Sequence, residues 1–135
     1  MLIKRCKCKK GECKQLAITP PKAILKKIRE FSFNKEKTQV AVDACLVDEI
    51  RLLWKLGVVT TTCCCGHNEF WSPPHIGVTE ETNEIMEGLG YRRIFNPCKP
   101  ESNCFFYPLS IKFTVLDYIR EFIWKVKYRF TSLTQ

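Results

Sequence analysis

Apolar positions recur at helical spacing in three stretches of the chain. Ile24, Leu25, Ile28 and Phe31 form one stripe, with Lys22, Lys26, Lys27 and Arg29 on the other faces. Thr19-Pro20-Pro21 precedes it as a helix start, since proline is tolerated in a first turn. Leu46, Ile50, Leu53 and Trp54 form the second stripe. Asp43 stands before it as an N-cap candidate, and Gly57 is placed to be its C′ residue. The third joins Leu116, Ile119, Phe122, Ile123, Val126 and Phe130 on one side of a helix over 114–131, opened by a capping-box pattern of Thr114 and Asp117. Between these, Val58 to Thr62 is β-branched throughout and suits a strand. His75 to Val78, Tyr91 to Phe95 and Cys104 to Phe113 are further strand candidates, the last interrupted by Pro108. Thr79, followed by Glu80 and Glu81, opens a short helix through Met86.

The resulting order, α-α-β-β-α-β-β-α, predicts a single compact α+β domain over 1–135. It has a small antiparallel or mixed sheet and about four helices. A length of 135 residues fits one core, with residues 1–18 as a Cys/Lys-rich N-terminal knuckle. The longest apolar-rich stretch, 113–130, carries Asp117, Arg120, Glu121, Lys125, Lys127 and Arg129. No membrane span is therefore expected.

Charge changes this picture. The chain holds 22 Lys+Arg against 14 Asp+Glu. Residues 1–37 carry twelve basic and three acidic residues, 38–90 two and eight, and 91–135 eight and three. Two basic ends thus flank an acidic middle, and polyanions become candidate partners. Lys4, Arg5, Lys7, Lys9, Lys10, Arg92 and Arg93 are placed to track phosphates, with Trp71 to stack on bases. Lys14, Lys125, Lys127 and Arg129 could join the first set, and Phe70, Tyr91 and Tyr107 the second. The expected ligand is nucleic acid or a nucleotide.

Nine cysteines change it further. The N-terminal charge is followed by no apolar core of about 7–15 residues, so no signal peptide is expected. The expected compartment is a reducing cytosol, where thiols stay reduced or bind metal. Cys6-x-Cys8-x4-Cys13 offers three thiolates to one ion, with a fourth ligand from Cys45, Cys98 or His67. Cys63-Cys64-Cys65-Gly66-His67 offers a second set, to which Cys45 could contribute. The predicted ligands are Cys6, Cys8, Cys13, Cys45, Cys64, Cys65 and His67, around one or two zinc ions. A catalytic alternative uses Cys64 or Cys65 as nucleophile, His67 as base and Asp43 as orienter.

The run Asp43-Ala44-Cys45 to Ile50, then Leu56-Gly57-Val58-Val59-Thr60, then Cys64-Cys65-Gly66-His67-Asn68, resembles a family of small uncharacterised proteins of Firmicutes and their phages and prophages. Ile76-Gly77-Val78 and Leu89-Gly90-Tyr91 continue the likeness, which covers about residues 43–107. Family members often follow C-C-G-H with glycine, where this chain has Asn68. The resemblance implies a mobile-element setting, with the cytosol of a bacterial host as the compartment, and a shared role for Cys45, Cys64, Cys65 and His67. In that setting an alternative to nucleic-acid binding is an anti-defence inhibitor, resembling an anti-CRISPR protein. It would bind a host defence protein or sequester a nucleotide signal.

Overall fold

A computed structural model describes Cys6, residues 13–97 and residues 104–133. Strand β1 (Gln15–Ile18) leads into helix α1 (Lys22–Phe31) and strand β2 (Val40–Asp43). A 3-10 turn, Ala44–Leu46, enters helix α2 (Val47–Lys55). Strands β3 (Thr60–Cys64) and β4 (His75–Val78), helix α3 (Asn83–Gly88), strand β5 (Phe105–Phe106) and helix α4 (Val115–Leu133) follow. Four helices and two small antiparallel sheets make an α+β fold. One sheet is β1-β2, the other β3-β4-β5 with β4 central.

The core is built from the predicted stripes. Ile24 and Ile28 of α1 and Ile50, Leu53 and Trp54 of α2 are buried, together with Val42, Val58, Ile76, Val78, Met86 and Phe106. Helix α2 ends where glycine allows it to. Gly57 takes φ +88°, its N–H donates to Trp54 O at 3.1 Å, and Val58 N–H donates to Leu53 O at 3.0 Å. That is a Schellman closure, and the chain leaves it directly toward β3.

Two strands were not expected. Gln15–Ile18 lies inside the segment read as a knuckle, and Val40–Asp43 lies just before the second helix. They pair from Gln15↔Asp43 to Ile18↔Val40, and each is too short to carry a clear alternating pattern alone. The last two predicted strands shrink. Arg93 makes only an isolated bridge to Phe106, and β5 is two residues long. Pro108 lacks a donor, and the next two amides turn away to a carboxylate. Leu109 N–H and Ser110 N–H each donate to Glu49 at 2.8 Å. Glu49 also accepts from the Tyr91 hydroxyl at 2.6 Å and from the Ser110 hydroxyl. One buried charge on α2 thereby fixes both the residue after α3 and the approach to α4.

Helix α4 departs furthest from expectation. Its capping pair forms, with Thr114 N–H donating to Asp117 Oδ2 at 2.8 Å. The face turned to the core, however, carries charge. Asp117, Arg120 and Glu121 are buried, while Ile119, Phe122 and Phe130 are exposed. Arg120 donates to Asp117 at 2.7 Å, to Phe70 O at 2.9 Å and to the Tyr107 hydroxyl at 3.1 Å. The Tyr107 hydroxyl donates in turn to Glu121 at 2.9 Å. A network so nearly complete can replace apolar packing, because Arg120 and Asp117 pair with each other and Glu121 accepts hydrogen bonds from Tyr107 and the Phe95 N–H.

Removing one member should be expensive. Asp117→Ala leaves Arg120 buried without its counter-charge, and an expected cost of about 3–5 kcal/mol follows. Arg93→Ala breaks only the half-exposed pair with Glu87 and should cost less than about 1 kcal/mol. Urea denaturation of the two variants side by side checks the contrast.

Candidate metal centre

The ladder between β1 and β2 extends one step beyond the strands, since Ala44 N–H donates to Lys14 O at 2.8 Å. Continuing the same register places Cys13 opposite Cys45. Their sulfurs are 3.8 Å apart. Cys6 Sγ lies 3.3 Å from Cys45 Sγ, well beyond a disulfide bond of about 2.05 Å. Cys65 arrives at the end of β3, where its N–H donates to Asp43 Oδ2 at 2.8 Å. The sulfurs of Cys6, Cys13, Cys45 and Cys65 all lie within 4.8 Å of one another, close enough to hold a metal ion. Tetrahedral thiolates at about 2.3 Å from an ion stand about 3.8 Å apart; the Cys13–Cys45 spacing matches that edge and the Cys6–Cys45 spacing is shorter.

Asp43 does not cap α2. Its carboxylate is buried and spans the ends of the two sheets, taking the Cys65 N–H on one oxygen and Gln15 Nε2 at 3.4 Å on the other. The backbone after Cys65 is held in a rare shape. Gly66, His67 and Asn68 take φ of +76°, +50° and +60° in succession. A Cβ on Gly66 would stand 2.5 Å from Ser72 O, so this glycine serves both the conformation and the close approach. The turn carries Asn68 to where its Oδ1 accepts the Cys6 N–H at 2.9 Å. It also puts His67 between two thiols, with Nδ1 3.7 Å from Cys65 Sγ and Nε2 3.5 Å from Cys64 Sγ.

A second donor set overlaps the first. Cys13, Asp43, Cys65 and His67 also fall within 4.8 Å of one another. The two sets share Cys13 and Cys65, so they describe one location. Cys6, Cys13, Cys45, Cys65 and His67 of the predicted ligands therefore converge. Cys64 stands in neither set, and its sulfur instead accepts the Gly66 N–H at 3.4 Å. Cys8 and Cys98 lie outside the described residues, as do Lys4, Arg5, Lys7, Lys9 and Lys10. Asp43 was read as a cap or an orienter, and no local spacing reveals it as a bridge between sheets. Its place beside Cys45 was the available hint.

The electrostatics favour thiols that wait for a cation over a poised nucleophile. Burial raises the Cys45 and Cys65 thiols far above the ordinary value, with the neighbouring thiols adding to it. Burial likewise raises Cys64, and it pushes Cys63 from 9.0 to about 11, helped by the Asp43 charge. Activation of a cysteine nucleophile needs the opposite shift. A bound cation would reverse the penalty, since it supplies the charge that four desolvated thiolates lack.

The remaining predicted contacts are occupied within the fold or lie apart from the thiols. The Arg92 guanidinium sits 4.5 Å from the Phe113 ring and 4.6 Å from the Tyr118 ring, and Arg93 pairs with Glu87. Tyr91 and Tyr107 are buried with their hydroxyls bonded to carboxylates, so neither offers a ring to a base. Trp71 is 56% exposed and stands 6.4 Å from Trp124. Lys127 Nζ lies 5.8 Å from the Trp71 ring, and Lys125 Nζ lies 5.7 Å from that of Phe95.

Cys63 provides a pH test of this environment. With its thiol at about 11 rather than 9.0, it should alkylate about 100-fold more slowly than an ordinary cysteine at pH 7.5. The rate should rise about tenfold per pH unit until the thiol titrates, because only the thiolate reacts. Iodoacetamide labelling between pH 7 and 10, read by peptide mass spectrometry, measures it.

No described helix is long and apolar enough to cross a membrane. Compared with protein-family models, with curated proteins and with solved structures, the chain matches none, so the donor set and the surface are what point to function.

Proposed function

We propose that this chain is a small zinc-binding protein of a phage or prophage, acting in the bacterial cytosol. In this reading one zinc ion is held by Cys6, Cys13, Cys45 and Cys65, and the protein binds single-stranded nucleic acid through its basic flanks. The observation that carries the reading is the convergence of four thiols, two of them buried and two half-buried, within 4.8 Å of one another. Zinc suits an all-thiolate set of four, and a closed set leaves no position for a substrate, so the ion would be structural. It would tie the start of the chain to the ends of both sheets. Asp43, through the Cys65 N–H, would orient one ligand, as outer-shell carboxylates commonly do.

The nucleic-acid part rests on charge and on one aromatic face. The ends of the chain are strongly basic, and the exposed Trp71 ring has Lys127 Nζ 5.8 Å from its centre. Exposed rings next to cations accept bases of any sequence by stacking, while the cations follow the phosphates.

Metal analysis of protein purified without added metal tests the first part. One equivalent of zinc per chain is expected, and Cys45→Ser or Cys65→Ser should remove it. No metal in the parent protein, or zinc retained by both variants, overturns the zinc reading. Fluorescence anisotropy with a labelled 15-nucleotide oligo-dT tests the second. Binding should weaken steeply with salt, and Trp71→Ala should cost about 1–3 kcal/mol of affinity. Binding that ignores both salt and Trp71 overturns the nucleic-acid reading.

A further inference from the structure

Helix α4 presents two opposed faces, and the buried charges account for only one of them. Val115, Ile119, Phe122, Val126 and Leu133 fall at intervals of four, three, four and seven residues, and Arg129 fills the gap left by the last interval. This is the a/d pattern of a heptad repeat, with Asp117, Trp124 and Thr131 on the opposite, f, positions. Asp117 and Trp124 face the core of the chain itself. Most of the a/d seam faces outward, with Val126 half-buried. Val115 is 64% exposed, Phe122 69% and Leu133 82%, and Ile119 is exposed as well. The seam runs the length of a 19-residue helix, about 28 Å.

A helix normally turns its apolar stripe to the core and its charges to water. Here the Asp117–Arg120–Glu121 network holds the helix down by the other side, and the apolar stripe is left over. Leu116, Ile123 and Phe130 at the adjacent e positions widen the stripe on one side, and Phe130 is exposed. An a/d/e stripe is the width with which a helix packs on another element.

Charge selects the occupant. The acids of α4, Asp117 and Glu121, are both buried, so the charge beside the seam is Lys125 at a g position and Arg129 on the seam itself, while Lys127 lies over Trp71 on the other side. A second copy of this helix would bring these cations against each other, on chains that each carry a net charge of +8. An acidic helix meets them with opposite charge.

We propose that the outer face of α4 docks an amphipathic α-helix of another protein. That helix carries apolar residues at heptad spacing and Asp or Glu beside them, one of which pairs with Arg129. The contact is a two-helix coiled coil built on a helix already anchored from behind. A single helix face covers less than the roughly 800 Å² per partner of a standard interface, so the contact is expected to be weak and reversible.

The probes are two synthetic 21-residue helices. Both carry Leu and Ile at a and d; one has Glu at e and g, the other Lys. Each is titrated into the chain as purified and read by isothermal calorimetry. The Glu peptide should bind one to one, at least tenfold more tightly than the Lys peptide. Phe122→Glu should weaken it at least tenfold, with an unchanged denaturation midpoint showing that the fold persists. Arg129→Glu, a milder change, should weaken the Glu peptide and strengthen the Lys peptide. Equal binding of the two peptides, or binding of neither, overturns the proposal. Sedimentation showing a dimer that Phe122→Glu dissociates would assign the face to a second copy and overturn it too. Phe122-dependent binding to phosphatidylglycerol vesicles without peptide binding would assign the face to a membrane and do the same.

Discussion

The Asp43 carboxylate is the point on which both sheets turn. It ends β2, and through Gln15 it touches the strand paired with β2. Through the Cys65 N–H it holds the end of β3 in the other sheet. Two short ladders of four residues or so have little register stability of their own. A buried charge that must find donors gives them a common end point, since leaving it unpaired would cost several kcal/mol. Cys13, Cys45 and Cys65 are each adjacent to, or within two residues of, a group in that junction. Their convergence follows from the backbone rather than from any attraction between thiols.

Much of the fold is legible in the sequence where one signal dominates. The stripes of α1 and α2, the glycine after α2, the strand His75–Val78 and the Thr114–Asp117 cap all stand where periodicity and capping chemistry put them. The strands β1 and β2 are not legible, because four residues with mixed polarity leave no period to read. Their pairing is a tertiary fact between segments separated by a helix. The region around Pro108 reads as strand by composition, yet its amides are drawn to Glu49, some sixty positions earlier. A distant carboxylate does not register in a local pattern.

The orientation of α4 shows the limit of the rule that an apolar stripe marks the core. The rule holds when the opposite face has no better use than hydration. Here Arg120 finds a carboxylate, a carbonyl and a phenol within hydrogen-bond reach, and that set outweighs the burial of Ile119 and Phe122. The candidate site was partly legible for a related reason. Cysteine type and spacing mark a donor cluster, but which thiol of three neighbours points inward depends on the left-handed turn at Gly66, His67 and Asn68. That turn selects Cys65, and it draws Cys6 in through Asn68.

The span of Glu49's bonds bears on how the chain is made. Helix α2 is complete once residue 55 has been added, yet the donors that satisfy its buried carboxylate are Tyr91, Leu109 and Ser110. Until those residues emerge, packing α2 against β2 and β3 would bury a charge with nothing opposite it. The core around α2 therefore closes with its charge satisfied only once residue 110 is present. The thiols at the end of β3 precede those donors in the order of synthesis, so the junction they join is laid down before the core that covers it.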